Sequence, residues 1–511
     1  MEDTNRVKIM AGDAGATLTR RRVFLTGTSG TMGGSALRHL LERGKHHIVT
    51  LVRPSEKNRM AMKAYAGDPG LEIVWGDLTD YEDVLRCVTA ADIVLHPAAF
   101  IAPAADHDPE TAWKINVGSA DNIVRAIKAQ PDPDSVKLVN IGTVAETGDR
   151  LPPIHLGRTG DPLKPSIFDM YACSKIAAER VVAESGLRHW ASCRQTFIAT
   201  TNPVQDPIMF HQPINTCIEL CTEHDAGLLL ANACKEDVPE AFWRRFYNIG
   251  GGPGCRVVFD ECLAATMKIF GIDSRKVMER NWFALRNFHC HWFEDSGVLD
   301  ENLHYQTESF ADHLRHIENR IPEHAKAGAR EIAHDGLKRG VMEPLATKTP
   351  DCTMYWIRNN MRMRITAFFK SREDWARIPD WGVDMPEDPR NVEPVRLDHG
   401  YDEGKPADEL DLGDMQAAAK FRGGACLSKK MKKGDLFSRL RWRCAFDHVF
   451  EATPNIVLKG GHWCPHCSPP GWNYDEEARR NPFFAQVWYP NHDRVENNVY
   501  PEDCWKDILG S

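Results

Sequence analysis

A short apolar run, a glycine-rich turn and a helix start follow one another at Arg22-Val-Phe-Leu-Thr-Gly-Thr-Ser-Gly-Thr-Met-Gly33. Val23, Phe24 and Leu25 predict a buried strand, and Gly27, Gly30 and Gly33 recur ahead of a helical pattern from Gly34 to Arg43. Glycines in such a turn let the backbone approach a pyrophosphate. The helix start faces it with unpaired N–H groups and the positive end of the dipole. A turn of this kind is common on its own, so its meaning depends on the chain behind it.

That chain alternates. Apolar runs at His47–Arg53, Leu71–Trp75, Asp92–His96 and Val136–Ile141 predict four more strands. Helical patterns start near Asp80 and run from Glu110 to Ala129 and from Met170 to Glu184. Strand–helix alternation implies an α/β fold, a doubly wound parallel sheet of Rossmann type with right-handed crossovers. Ligands of such sheets sit at the C-terminal strand ends. Arg53 ends the second strand, where an acidic residue would hold the 2′-hydroxyl of NAD and an arginine favours the 2′-phosphate of NADP. Lys57 and Arg59 add positive charge there. Asp77 follows the third strand within reach of an adenine amine, and Ala98 and Ala99 after the fourth are small enough for a cofactor to lie against.

At the end of the fifth strand stands Thr143, and Tyr171 and Lys175 lie four apart at the start of a helix, on one face. A free tyrosine, with a pKa of about 10, is a poor base at neutral pH. An adjacent ammonium favours the phenolate, which makes the pair a tuned proton donor or acceptor.

Taken in order, Thr26-Gly-x-x-Gly-x-x-Gly33, Gly76-Asp77-Leu78, His96-x-Ala-Ala99, Asn116-Val-Gly118, Thr143, Tyr171-x-x-x-Lys175, His224-Asp-Ala226 and Asn248-Ile-Gly-Gly-Gly252 resemble the extended short-chain dehydrogenase/reductase, or NAD-dependent epimerase/dehydratase, family over about residues 21 to 310. The resemblance implies Tyr171 as catalytic acid/base, Lys175 as the group that lowers its pKa and binds the nicotinamide ribose, and Thr143 as the hydroxyl that orients the reacting oxygen. It implies cofactor contacts from Thr26, Gly27, Ser29, Gly30, Thr31, Met32 and Gly33, from Arg53, Asp77, Leu78, Ala98 and Ala99, and from Asn116. Asn116 matches in part, since Gly118 comes one residue early, so a structural role is expected of it over a catalytic one. Dehydratases of the family carry Asp-Glu after the threonine; Val144 and Ala145 stand here and cannot move protons. The expected activity is hydride transfer between NADP(H), or alternatively NAD(H), and an alcohol or carbonyl. Gly157 to Asp161, Arg194 and Phe210 to Glu219 are expected to border an unnamed small-molecule substrate. An epimerase with retained NAD is the alternative enzyme.

At 511 residues the chain exceeds one compact core. The expected division is a tail over 1–20, a nucleotide domain over 21–200, a substrate lobe with helical extension over 201–379, a Pro/Gly/acid-rich linker over 380–414 and a C-terminal module over 415–511. Within the lobe, Asp260–Phe270 and Glu301–Arg320 each predict one helix. The histidines at 289, 291, 304 and 313 have no second ligand type at fixed spacing, so they give no metal reading. A net charge of −9 gives no global reason to expect nucleic acid or an anionic membrane. No apolar run approaches the roughly 20 residues of a membrane span. The 15 cysteines are mostly scattered singly and read as reduced thiols of a cytoplasmic protein, for which a homodimer is expected.

After the linker the charge inverts, with Lys420, Arg422, Lys429, Lys430, Lys432, Lys433, Arg439, Arg441 and Arg443 against Asp435. Cys464-Pro-His-Cys467 then forms a knuckle that Cys444 and His448 can complete as a tetrahedral Cys3His site, with His462 and His466 as substitutes for His448. Thiolate and imidazole donors favour zinc. The segment resembles small zinc-ribbon modules. Four protein ligands leave no open position, so the expected zinc is structural. The basic lead-in also admits an NADP(H)-sensing regulator that grips nucleic acid, a less favoured reading.

Overall fold

The computed structural model describes residues 20–201, 206–322, 334–467 and 472–509; most of the expected N-terminal tail lies outside them. Seven parallel strands form one sheet: β1 (Arg21–Leu25), β2 (His46–Val52), β3 (Leu71–Trp75), β4 (Ile93–His96), β5 (Lys137–Thr143), β6 (Trp190–Gln195) and β7 (Arg245–Ile249), in the order β7-β6-β5-β4-β1-β2-β3. The order reverses at β1, and the crevice there, beyond the strand ends, is the ligand position of doubly wound sheets. Helices α1 (Thr31–Arg43) and, later in the chain, α5 (Glu223–Asn232) cover one face. The other carries α2 (Tyr81–Val88), α3 (Gly118–Lys128) and α4 (Met170–Ala183). With both faces covered, strands such as Val23-Phe24-Leu25 are buried throughout, which is why they read as unbroken apolar runs.

Two expected helices are interrupted. The 110–129 pattern contains a π-helical turn at Trp113–Val117 just before α3. The 301–320 pattern splits into Ser296–Leu303 and Phe310–Arg320, because His304 ends the first in a left-handed conformation (φ 50°) and Ser309 opens the second with a capping box. Periodicity sees neither break.

The 380–414 segment, expected as a linker, packs against the fold, with Leu397, His399 and Leu410 buried. Helix α6 (Leu412–Phe421) leads into an antiparallel sheet of β8 (Ala425–Cys426), β9 (Leu440–Arg443) and β10 (Val449–Ala452), where Trp442 faces Phe450. Its core is continuous with that of the large sheet through Trp190 and Phe246. Beyond the Cys/His knuckle, Trp472, Tyr474, Phe484 and Trp488 join a second core with Phe283, Trp356 and Phe368 instead.

Candidate functional site

A cleft of about 500 Å3 opens at the C-terminal ends of β1, β2 and β4. Gly27, Ser29, Gly30, Thr31, Met32 and Gly33 line it, followed by Arg53, Asp77, Leu78, Ala98, Ala99, Tyr171 and Lys175. The glycines are required by local geometry. Gly27 has φ +67°, and a Cβ at Gly33 would collide with the Gly27 carbonyl. Asn58 donates to the Arg53 carbonyl (2.8 Å), which steadies the β2 end. Arg59 stacks over Trp75 and does not line the cleft.

Two expected contacts lie behind the cleft wall. Thr26 is fully buried, its Oγ1 paired with His96 Nδ1 (3.0 Å) and accepting from the Ala98 N–H (3.2 Å). Asn116 uses its whole amide to tie the Phe100 backbone (2.7 and 3.0 Å) to Ser174 on α4 (2.9 Å). Ile115 faces the cleft in its place. Both residues shape the cleft without lining it.

Tyr171 and Lys175 project from the first two turns of α4, and the Thr143 hydroxyl acts on the phenol to favour its charged form. Contrary to the lowering expected from Lys175, burial pushes the Tyr171 phenol well above its usual range, opposed by the Thr143 hydroxyl and reinforced by the carboxylates of Glu146, Asp169 and Asp106. Burial also lowers the Lys175 ammonium, against the pull of Glu146 and Glu179. Thr143 is held by its own capping box: its N–H donates to Glu146 Oε1 (2.9 Å), and its Oγ1 accepts from the Ala145 N–H (3.3 Å).

Behind this pair lies a buried ionic cluster that sequence reasoning missed. Arg194, Glu146 and Glu179 are each fully buried. Arg194 donates to Glu179 (2.6 Å) and stands 3.3 Å from Glu146 Oε2. From the C-terminal part of the chain come the Gly460 carbonyl, which accepts from Arg194 (2.6 Å), and His462, whose Nε2 meets Glu179 (2.8 Å). Arg194, expected at the substrate, therefore braces α4 from behind and does not line the cleft, and Phe210 is core. The signals were present: Glu179 stands four residues after Lys175, and Glu146 completes a Thr-x-x-Glu capping box.

One guanidinium cannot fully serve two buried carboxylates, and they divide. Burial would raise Glu179, but Arg194 and His462 hold it down at about 2. Glu146 is pushed up to about 8 by burial and by the neighbouring Glu179 charge. A carboxyl whose folded pKa lies above its ordinary 4.5 adds stability that is complete below 4.5 and lost as the pH rises through about 8. Glu146→Gln keeps the acceptor for Thr143 without that titration. The variant is expected to match the parent at pH 5 and exceed it in stability at pH 9. Parallel thermal melts in which both proteins lose stability equally between those values would count against this assignment.

Cys444, His448, Cys464 and Cys467 place one ligand atom each within 4.8 Å of the others. Cys444 Sγ lies 3.5 Å from His448 Nδ1 and 3.5 Å from Cys467 Sγ; His448 Nδ1 lies 3.3 Å from Cys467 and 3.7 Å from Cys464. A tetrahedral zinc site with bonds of about 2.3 Å to sulfur and 2.0 Å to nitrogen has edges of about 3.5–3.8 Å. The donor set and its spacing fit that ion. Of the two substitutes, His462 is committed to Glu179 and His466 lies beside His448 with ring centroids 5.5 Å apart.

Sheet order and cleft together define a Rossmann-type doubly wound α/β fold. Residues 23–197 match the family model described as the NAD dependent epimerase/dehydratase family, and this stretch of the chain is a domain of that family. A 3 beta-hydroxysteroid dehydrogenase/Delta 5-->4-isomerase of Mycobacterium tuberculosis is 28% identical over 188 residues, 36% of this chain and 48% of that protein. A 2-alkyl-3-oxoalkanoate reductase of Stenotrophomonas maltophilia is 29% identical over 164 residues, 32% of this chain and 46% of that protein. The chain spans about half the length of these curated relatives. Among solved structures, UDP-glucuronic acid 4-epimerase from Bacillus cereus in complex with UDP-glucuronic acid and NAD is 16% identical, with a TM-score of 0.46 over 58% of this chain and 98% of that one. Among the described residues, no helix is long and apolar enough to cross a membrane.

Proposed function

We propose that the protein is an NADP(H)-dependent oxidoreductase that reduces a carbonyl, or oxidises the corresponding alcohol, on a small-molecule substrate. The observation that carries this reading is the convergence of Tyr171, Lys175 and the glycine turn on one cleft. The tight turn that Gly27 and Gly33 permit lines the cleft and suits a pyrophosphate, and Arg53 at the β2 end suits a 2′-phosphate. When bound, the nicotinamide supplies or accepts the hydride. Tyr171 holds the proton at its phenol oxygen; its raised pKa keeps that proton in place at neutral pH, ready for a substrate oxygen. Thr143 orients the same oxygen, and Lys175 provides the positive charge that stabilises the phenolate after transfer. Val144 and Ala145 offer no group for removing water, which supports simple redox chemistry over dehydration.

Coenzyme choice tests the reading. Arg53→Asp removes a charge-assisted contact worth about 1.5–3 kcal/mol. NADPH affinity, followed by quenching of tryptophan fluorescence, is expected to fall roughly 10- to 100-fold while NADH affinity holds or improves. A parent protein that binds NADH and ignores NADPH would refute the NADP(H) assignment.

The Cys444/His448/Cys464/Cys467 group would hold a structural zinc, whose role is to tie β9, the turn before β10 and the 464–467 knuckle together. Metal analysis is expected to find one zinc per chain, and Cys464→Ser to lose it together with thermal stability. One equivalent of metal retained in that variant would sink the assignment.

A further inference from the structure

The largest cavity among those described, about 750 Å3, is not the dinucleotide cleft. It lies between the edge strand β7 and the C-terminal part of the chain, at the N-terminal end of the parallel sheet and so at the opposite end from the cleft. Six cationic side chains line it: Arg158, Arg188, Arg244, Arg245, Arg396 and Lys459. Glu240 and Glu403 are the carboxylates on its wall.

Three of the cations are accounted for. Arg158 pairs with Glu403 (2.9 Å), Arg396 with Glu294 (3.1 Å), and Arg188 lies 3.8 Å from Glu240. The other three have no ion pair among the described residues. Arg244 lies over the Phe437 ring at 4.0 Å, in a backbone conformation with φ +60°. Arg245 lies 5.6 Å from the Tyr247 ring, and Lys459 donates to the Tyr401 hydroxyl at 2.9 Å. Like charges drawn into one concavity raise one another's energy unless an anion joins them. A volume of this size suits a whole small molecule.

We propose that this cleft is a second ligand site, for a nucleoside di- or triphosphate. Arg244, Arg245 and Lys459 meet the phosphates, and the Tyr401 ring offers an apolar surface to the base. Three unneutralised cations match a ligand with two to four negative charges better than a monocarboxylate with one. Guanidinium groups suit phosphate in particular, since their N–H donors bond it in pairs. The site touches both the large sheet and the 396–459 stretch, so an occupant would bridge them.

The test is calorimetric titration of the full chain with ADP, pyrophosphate and adenosine, each in saturating NADPH so that the dinucleotide cleft is filled. ADP is expected to bind and to weaken with added salt, pyrophosphate to bind less tightly, and adenosine to give no heat. The double variant Arg245→Glu/Lys459→Glu, at positions that are exposed and half-buried, is expected to bind ADP at least tenfold more weakly with unchanged NADPH affinity and melting temperature. Substitution of both by Gln is expected to give a smaller loss in the same direction. No heat with ADP, or equal ADP affinity in the Glu variant, overturns the site. Pyrophosphate binding as tightly as ADP overturns the nucleoside part. Should the chain take no NADPH, the loss of ADP binding in the variant still reports on this cleft alone.

Discussion

Tyr171→Phe is expected to lower kcat by roughly 10²–10⁴-fold, the usual contribution of a positioned proton donor, while the protein stays folded and keeps its NADPH affinity. The substitution removes one oxygen. Its ring remains packed on α4, and the cleft residues from Gly27 to Gly33 are untouched. The hydroxyl it removes is the proposed proton donor of the cleft. With a carbonyl substrate in hand, single-turnover NADPH oxidation separates the chemical step from binding. Full turnover in the variant would mean that another group delivers the proton, and the assignment of Tyr171 would fall.

Arg194→Met is expected to destabilise the protein by about 3–5 kcal/mol, the cost of breaking a buried ion pair by removing one partner. Methionine fills much of the volume but leaves the Glu146 and Glu179 carboxyls and the Gly460 carbonyl without their shared donor, all in a region with no solvent to replace it. Because Glu179 lies one turn beyond Lys175 on α4, the loss is expected to reach the candidate site as well. Denaturant unfolding followed by tryptophan fluorescence measures the first effect. Adding Glu179→Gln to Arg194→Met should recover part of the loss, since it removes a charge left unpaired. A change below about 1 kcal/mol in the single variant would show that the cluster is better hydrated than its burial implies.

The same cluster marks the difference between the two ends of the chain in how readily they can be read. The strand–turn–helix start, the end of β2 at Arg53 and the Tyr171/Lys175 pair are local patterns, each written in a few consecutive residues. So are the Cys464–Cys467 knuckle and the Cys444/His448 spacing. Each of these is visible because backbone geometry over one turn or one strand converts spacing directly into position. Arg194 was legible as a charged residue near the site but not as to direction. Its partners come from 146, 179, 460 and 462, and no local rule connects them. The break at His304 was invisible for a related reason: amphipathic periodicity continues through it, and only the left-handed cap and the capping box at Ser309 reset the chain.

The amino-acid sequence by itself determined the parallel sheet, the glycine turn, the pairing of Tyr171 with Lys175 on one helix face and the Cys3His donor set, because each depends on side-chain alternation, backbone freedom or ligand spacing within a short stretch. Tertiary structure decided what surrounds them. It turned Thr26 and Asn116 from cofactor contacts into wall supports, and placed Arg194 behind α4. It folded the 380–414 segment and the C-terminal strands onto the edge of the large sheet. It also gathered Arg244, Arg245 and Lys459 from 215 residues of separation into one cleft. Burial and long-range pairing set the energies of those arrangements, and both come into being only when distant segments meet.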